Sequence, residues 1–244
     1  MVIVLIITAV RVKSMDSHRI SGRILAENIA GPGMMRLVEQ SMQAQAQKTS
    51  VTEIAVKEWK HPQAALTFDD GPDIRYTPLL LDGLKERNVR ASFFLLGEKV
   101  EQYPELVERM QKEGHLVGNH TYHHVQLNKL NETKAREEIL KTNNLIYETT
   151  GVYPLYLRPP FGAWKKNLEL CVEMLPVFWT IDTLDWKVKN TEKIVRTVKE
   201  QIEDGAIILM HDEYKTTVEA ALRLADSLKE KGYELVTVDE LIMP

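Results

Sequence analysis

The 244-residue chain is 44% hydrophobic and 27% charged with a net charge of −4, an ordinary globular balance that excludes wholly disordered, collagen-like and multi-span membrane classes. The charge is unevenly divided: residues 1–59 carry seven Lys/Arg against five Asp/Glu, leaving 24 against 30 in the rest, and an acidic body without a basic run argues against nucleic acid as the main partner. The single cysteine, Cys171, has no partner for an internal disulfide, so it reads as a small buried hydrophobe and leaves the compartment open.

At the start of the chain, Val2–Val10 is apolar apart from Thr8, with Arg11 and Lys13 directly behind it. The run is too short to span a bilayer, which takes roughly 17 to 25 residues. Two readings stay open for residues 1–13: a truncated export signal or membrane anchor, or a buried β-strand. The first makes the protein extracellular or attached to a bacterial cell surface, the second cytoplasmic. Residues 14–60 read as a linker or N-terminal extension, with a turn at Gly31-Pro32-Gly33 and a Gln/Ala-rich polar run from Ser41 to Ser50. This stretch is either a tether or, over Met34–Gln47, a docked helix.

From residue 61 to 244 short apolar runs alternate with longer helical-period segments, the pattern of repeated βα units around a parallel sheet. The expected strands are Ala64–Phe68, Ala91–Leu96, His115–Gly118, Leu155–Leu157, Val177–Ile181, Ala206–Met210 and Glu234–Thr237. Pro78 and Pro104 suit the first turns of helices ending near Asn88 and Glu113, and Gly114, Gly151, Gly205 and Gly232 suit positions just past helix ends. Thr237 and Glu240 fit a capping box for a last short helix. The fold class is α/β, with about seven strands and an N-terminal extension.

Five islands hold nearly every residue able to do chemistry: Thr67–Pro72, His120–His124, Arg158–Gly162, Asp182–Trp186 and Leu209–Asp212. Each falls at or just beyond the C-terminal end of an expected strand, the rim where parallel α/β barrels carry their active sites. The carboxylates Asp69 and Asp70 diverge as they leave a strand end, so one can bind a cation while the other addresses a different point. His120 and His124 have i, i+4 spacing, which lets both rings face one point if the backbone turns helically; His123 then points away. Alone, each island has an ordinary explanation: a turn, a hydrogen-bonded histidine, a surface ion pair at Arg158, or a cap with a core aromatic at Asp185 and Trp186. His211, at a buried strand's exit, sits where a general acid would be useful.

Taken together and in this order, the five islands resemble the signature motifs of the polysaccharide deacetylases, carbohydrate esterase family 4 with its NodB homology domain, over roughly Gln63 to Met243. The resemblance implies a distorted seven-stranded (β/α) barrel that removes acetyl groups from a sugar polymer using a divalent metal, zinc first, with cobalt, manganese, nickel and iron as other candidates. By this resemblance Asp70, His120 and His124 are the metal ligands and Asp69 the catalytic base. Arg158 orients that base, Phe161 offers its backbone N–H to the oxyanion, His211 is the catalytic acid and Asp185 orients it. Trp186 and Leu209 wall the acetyl methyl. Phe161 stands where tyrosine is common and Val125 where proline is common; neither change removes a reacting group. The implied substrate carries N-acetylglucosamine units, as in peptidoglycan or a chitin-like glycan. An O-deacetylase of the acetyl-xylan esterase type and an inactive glycan-binding module are the alternatives. The expected state is a monomer.

Overall fold

The computed structural model describes residues 61–164 and 174–242, so the apolar run Val2–Val10, the extension 14–60 with its Met34–Gln47 segment, and Cys171 lie outside the described residues. Among the described residues eight strands form: β1 Gln63–Asp69, β2 Ser92–Leu95, β3 Leu116–Asn119, β4 Tyr156–Leu157, β5 Leu175–Pro176, β6 Ile181–Asp182, β7 Ala206–His211 and β8 Glu234–Leu235. The helices between them are α1 Thr77–Glu86, α2 Gly97–Gln102, α3 Pro104–Lys112, α4 Glu132–Thr150, α5 Asp185–Val188, α6 Thr191–Gln201, α7 Lys215–Glu230 and α8 Val238–Ile242. Seven strands make one curled parallel sheet in the order β5-β4-β3-β2-β1-β7-β6, and β8 pairs with the start of β1. This is the expected distorted seven-stranded barrel.

Strand β1 pairs with β2, β7 and β8, and every one of its seven residues is buried. Successive side chains of a strand point to opposite faces. Ala64, Leu66 and Phe68 accordingly join Leu80, Leu84 and Leu224 in the layer between sheet and helices, whereas Ala65 joins Phe94, Tyr156, Val177 and Val238 in a smaller cluster inside the barrel. Burial on both faces is why β1 reads as a nearly unbroken apolar run. Phe68, with 0% exposure, contributes about 1.5–3 kcal/mol by the transfer of its ring from water. On the helical side, Gly83 of α1 lies so close to Leu222 of α7 that a methyl group there would collide with it.

The strand count reaches seven by a different division from that expected. The run Val177–Ile181 is not one strand. Leu175 N–H donates to Leu155 O at 2.9 Å and Val177 N–H to Leu157 O at 2.8 Å, but Thr180 N–H donates to Ile207 O at 2.9 Å. The chain thus passes within a few residues from one end of the sheet to the other. No single strand can pair with both edges, so β5 and β6 form on either side of Val177–Trp179. Among the described residues no ladder joins β5 to β6; Val177 instead fills the interior.

Punctuation follows the residue chemistry. Asn131 and Asn190 accept from the N–H groups of Lys134 and Lys193, both at 2.9 Å, which satisfies orphan donors at the starts of α4 and α6. Helix α4 ends on Gly151 in the left-handed region (φ 73°), its N–H donating to Tyr147 O. Glu240 accepts from both the N–H and the hydroxyl of Thr237 at 3.1 Å, which is the half of the expected capping box in which the glutamate reaches back to the start of α8. Helix α2, in contrast, was not anticipated from the sequence.

Candidate active site

The sequence islands converge because the strands run parallel. Asp69 ends β1, His120 follows β3, Arg158 follows β4, Asp185 opens α5 just after β6, and His211 ends β7. In register, Asp69 lies opposite His211 on one side and Phe94 on the other. Asp69, Asp70, His120, His124 and His211 line a cavity of about 510 Å³ at the C-terminal rim, whose other walls include Phe161, Trp186 and Leu209, while Arg158 and Asp185 lie buried behind it.

Asp70, His120 and His124 bring one potential ligand atom each to within 4.8 Å of one another. Both imidazole Nε2 atoms stand 3.4 Å from Asp70 Oδ1. His120 Nδ1 lies 2.6 Å from the Arg158 carbonyl oxygen, which can only accept, so Nδ1 carries the proton. Burial lowers the His120 pKa to about 3. The ring is therefore neutral at physiological pH, and its Nε2 lone pair faces Asp70. That oxygen, Asp70 Oδ1, is itself buried with no hydrogen-bond partner. A carboxylate oxygen without a hydrogen-bond partner that faces two imidazole nitrogens, at least one of them a lone pair, is an arrangement that a shared cation would satisfy. The donor set of two nitrogens and one oxygen fits a divalent metal with positions left over for substrate.

The histidine pair is brought together differently from the expected helical turn. The ring centroids are 5.0 Å apart, but the chain bends through Thr121 at φ 67° and His124 at φ 55°. Thr121 N–H donates to Asn119 Oδ1 at 2.7 Å, and Asn119 Nδ2 donates to Ile139 O and Asn143 Oδ1. Asp70 (φ 67°), Phe161 (φ 60°) and Leu184 (φ 51°) also occupy the left-handed region. Such residues cost of order 1–3 kcal/mol each and persist where surrounding contacts over-determine them. His123 turns outward to Glu138 at 2.7 Å.

Asp69 is 3% exposed and Arg158 0%. Arg158 Nη1 donates to Asp69 Oδ1 at 2.8 Å and to Thr67 Oγ1 at 2.7 Å, while its guanidinium lies 4.2 Å above the Phe94 ring. This fixes one oxygen of Asp69. The other, Oδ2, stands 3.7 Å from His120 Nε2. Burial raises the Asp69 pKa, against the opposing pull of Arg158.

Across the cavity, His211 Nδ1–H donates to Asp185 Oδ1 at 2.8 Å, and its backbone N–H donates to Oδ2 at 2.7 Å. Thr217 supplies a further hydrogen bond to Oδ2 at 2.8 Å. Burial alone would lower the His211 pKa, but the bond to fully buried Asp185, with the charges of Asp69 and Asp70, raises it to about 9. His211 Nε2 is 3.9 Å from Asp70 Oδ2. Leu209 is buried on the wall, Trp186 is half-exposed, and Phe161, 62% exposed, packs its ring 4.5 Å from that of His124.

All ten residues singled out from the sequence come together here. Sequence reasoning missed Thr217, and it gave no role to Thr67 or Asp212 although both lie within its islands. Thr67 carried a usable signal, since it precedes Asp69 by two residues on one strand and must share its face. Thr217 carried none.

A family model described as "Polysaccharide deacetylase" matches residues 57–178. The chain is 45% identical over 177 residues to the peptidoglycan-N-acetylglucosamine deacetylase PgdA of Listeria monocytogenes, covering 72% of this chain and 38% of that protein. It is 40% identical over 186 residues to a peptidoglycan-N-acetylglucosamine deacetylase of Bacillus cereus, covering 73% of this chain and 68% of that one. Among solved structures, peptidoglycan deacetylase PdaC from Bacillus subtilis superposes with a TM-score of 0.73 at 40% identity, over 75% of this chain and 91% of that one. The chain thus spans well under half the length of the Listeria relative.

Proposed function

The chain belongs to the polysaccharide deacetylase family, and we propose that it hydrolyses the N-acetyl groups of N-acetylglucosamine units in peptidoglycan, releasing acetate and leaving a free amine. The observation that carries this reading is the pairing, across one cavity, of a buried carboxylate with a committed and an uncommitted oxygen (Asp69) and an imidazole raised to about 9 (His211). A carboxylate with one oxygen left free and an imidazole whose Nδ1–H is committed to Asp185, both facing the same cavity, are the placement that acid and base assignments require.

In this reading Asp70, His120 and His124 hold a divalent cation, zinc being the first candidate for a set of two imidazoles and a carboxylate. When bound, the cation supplies Lewis-acid polarisation of the acetyl carbonyl and brings the pKa of a water toward about 7. Asp69 receives the proton of the attacking water through Oδ2, and the raised pKa brings its basicity closer to the working pH. Arg158 keeps Oδ1 engaged so that the base cannot rotate away. The left-handed backbone at Phe161 presents its N–H to the negative charge that develops on the carbonyl oxygen. His211, protonated at neutral pH, delivers its proton to the departing nitrogen, and Asp185 stabilises the charged ring until then. Leu209 and Trp186 close around the acetyl methyl.

Every residue in this scheme comes from one copy of the chain, so the scheme calls for no second subunit. Peptidoglycan as substrate supports action outside the cytoplasmic membrane. Among the described residues no helix is long and apolar enough to cross a membrane.

The test is acetate release from N-acetylglucosamine oligomers, purified peptidoglycan and acetylated xylan, each with metal-stripped and metal-restored protein. The expected result is release from the first two only after metal is restored. Preference for xylan would make the protein an O-deacetylase, and glycan binding without acetate release would make it a binding module.

A further inference from the structure

The turn that carries Asp70 is tied to the rest of the rim by a buried carboxyl that the scheme above does not use. Asp212 follows His211 at the exit of β7 and has 0% exposure. Its Oδ2 accepts from the Thr77 hydroxyl at the start of α1, and Thr77 Oγ1 accepts in turn from Asp73 N–H at 2.8 Å. Its Oδ1 is buried without a hydrogen-bond partner. The carboxyl lies directly against Gly71: a methyl group at position 71 would come within 2.5 Å of Oδ1 and 2.8 Å of Oδ2. Gly71 is not at positive φ, so its missing side chain answers to space and not to backbone freedom. A second tie comes from the opposite side, where Leu96 N–H donates to Gly71 O at 3.2 Å.

We propose that Asp212 is a positioning residue: its carboxyl, seated against Gly71 and held by Thr77, fixes the turn that aims Asp70 at His120 and His124 and keeps that turn in register with His211. The inference rests on the reading of Asp70, His120 and His124 as a cation site. Occupied volume against Gly71 and the acceptor toward Thr77 are what the carboxyl contributes, and an asparagine side chain keeps both. Asparagine therefore satisfies the role and alanine does not. Because neighbours that orient a ligand act on metal affinity, typically by about 10–100-fold, the effect reaches a quantity that a general loss of stability leaves alone in the folded fraction.

The experiment measures zinc affinity by competition with a chromogenic chelator, the cobalt absorption spectrum, and kcat and KM on N-acetylglucosamine oligomers for the wild type, Asp212→Ala, Asp212→Asn and Gly71→Ala. Asp212→Ala is expected to weaken zinc binding by about 10–100-fold, alter the cobalt spectrum and lower kcat with KM unchanged, while Asp212→Asn restores all three. Gly71→Ala, which displaces the carboxyl without deleting it, gives the same losses and serves where the alanine variant fails to fold. Combined, Gly71→Ala and Asp212→Ala lose less than the product of their separate effects. A wild type that binds zinc and releases acetate alongside Asp212→Ala or Gly71→Ala variants with unchanged affinity and spectrum overturns the proposal alone. A wild type that binds no zinc overturns the cation site, and the proposal with it.

Discussion

Asp185→Asn isolates how His211 keeps its proton. In the wild type, Asp185 accepts from the His211 ring, from the His211 backbone and from Thr217, and the ring pKa rises from 6.5 to about 9 against the effect of burial. At 1.36 kcal/mol per unit of pKa, that rise corresponds to about 3 kcal/mol in favour of the charged ring. A raised pKa stabilises the folded state fully below the unfolded value of 6.5, and the contribution fades as pH climbs through about 9. An asparagine removes both the charge and one acceptor, leaving Asp69 and Asp70 alone to oppose burial, so the ring pKa falls. In metal-free protein the variant is expected to lose up to about 3 kcal/mol at pH 6 through this linkage, plus about 1–3 kcal/mol at all pH values for a buried donor left without an acceptor. NMR titration of the His211 ring and urea denaturation at pH 6 and pH 10 measure the two quantities. A ring that still titrates near 9, or a stability loss of the same size at both pH values, refutes the assignment of the raised pKa to Asp185.

Asp69→Asn is expected to keep its metal and lose about 10²–10⁴-fold in acetate release, the usual contribution of a positioned base; metal analysis of the purified variant beside its kcat checks both halves. His120→Ala acts in the opposite order, weakening zinc affinity itself, which titration against a chelator reads directly. Arg158→Ala leaves the Asp69 carboxylate buried without its partner and should cost about 3–5 kcal/mol in denaturant unfolding. In any Arg158→Ala protein that folds, Asp69 titrates higher still, because the partner that opposed burial is gone, and the acid limb of the pH–rate profile moves to higher pH.

What the sequence made legible is what depends on local pattern. Strand β1 and strand β7 are apolar because the sheet is covered on both faces, so their ends, and the carboxylate and imidazole that terminate them, could be read from composition alone. The segment from Val177 to Ile181 was misread because its apolar character is equally compatible with one strand or with a crossing; only the carbonyl oxygens it meets, Leu157 on one side and Ile207 on the other, decide between them. Helix α2 was hidden by the residue that opens it, since Gly97 follows an apolar run without a side-chain cap. The contacts that support the site were illegible for a further reason. Thr67 lies 91 residues from Arg158 and Thr77 lies 135 from Asp212, and a threonine that satisfies a distant buried group looks locally like any other threonine.

The division of labour between two adjacent aspartates follows from a single change in backbone conformation. Asp69 is the last residue of β1 and keeps the strand's alternation, which sends its side chain to the same interior face as Thr67, where both meet Arg158. Had the strand continued, Asp70 would point outward into the layer of Leu66, Phe68 and the helices, where an ionised carboxylate cannot stay. A left-handed residue at position 70 breaks the alternation instead, and the chain turns over Gly71, which has no side chain to hinder its approach to Asp212. The second carboxylate is thereby swung onto the rim, 3.4 Å from each histidine. Under the proposed assignment, ligand and base are neighbours in sequence and still separate in duty because one follows the pleat and the other leaves it, so the strain at Asp70 is part of what would separate the two roles.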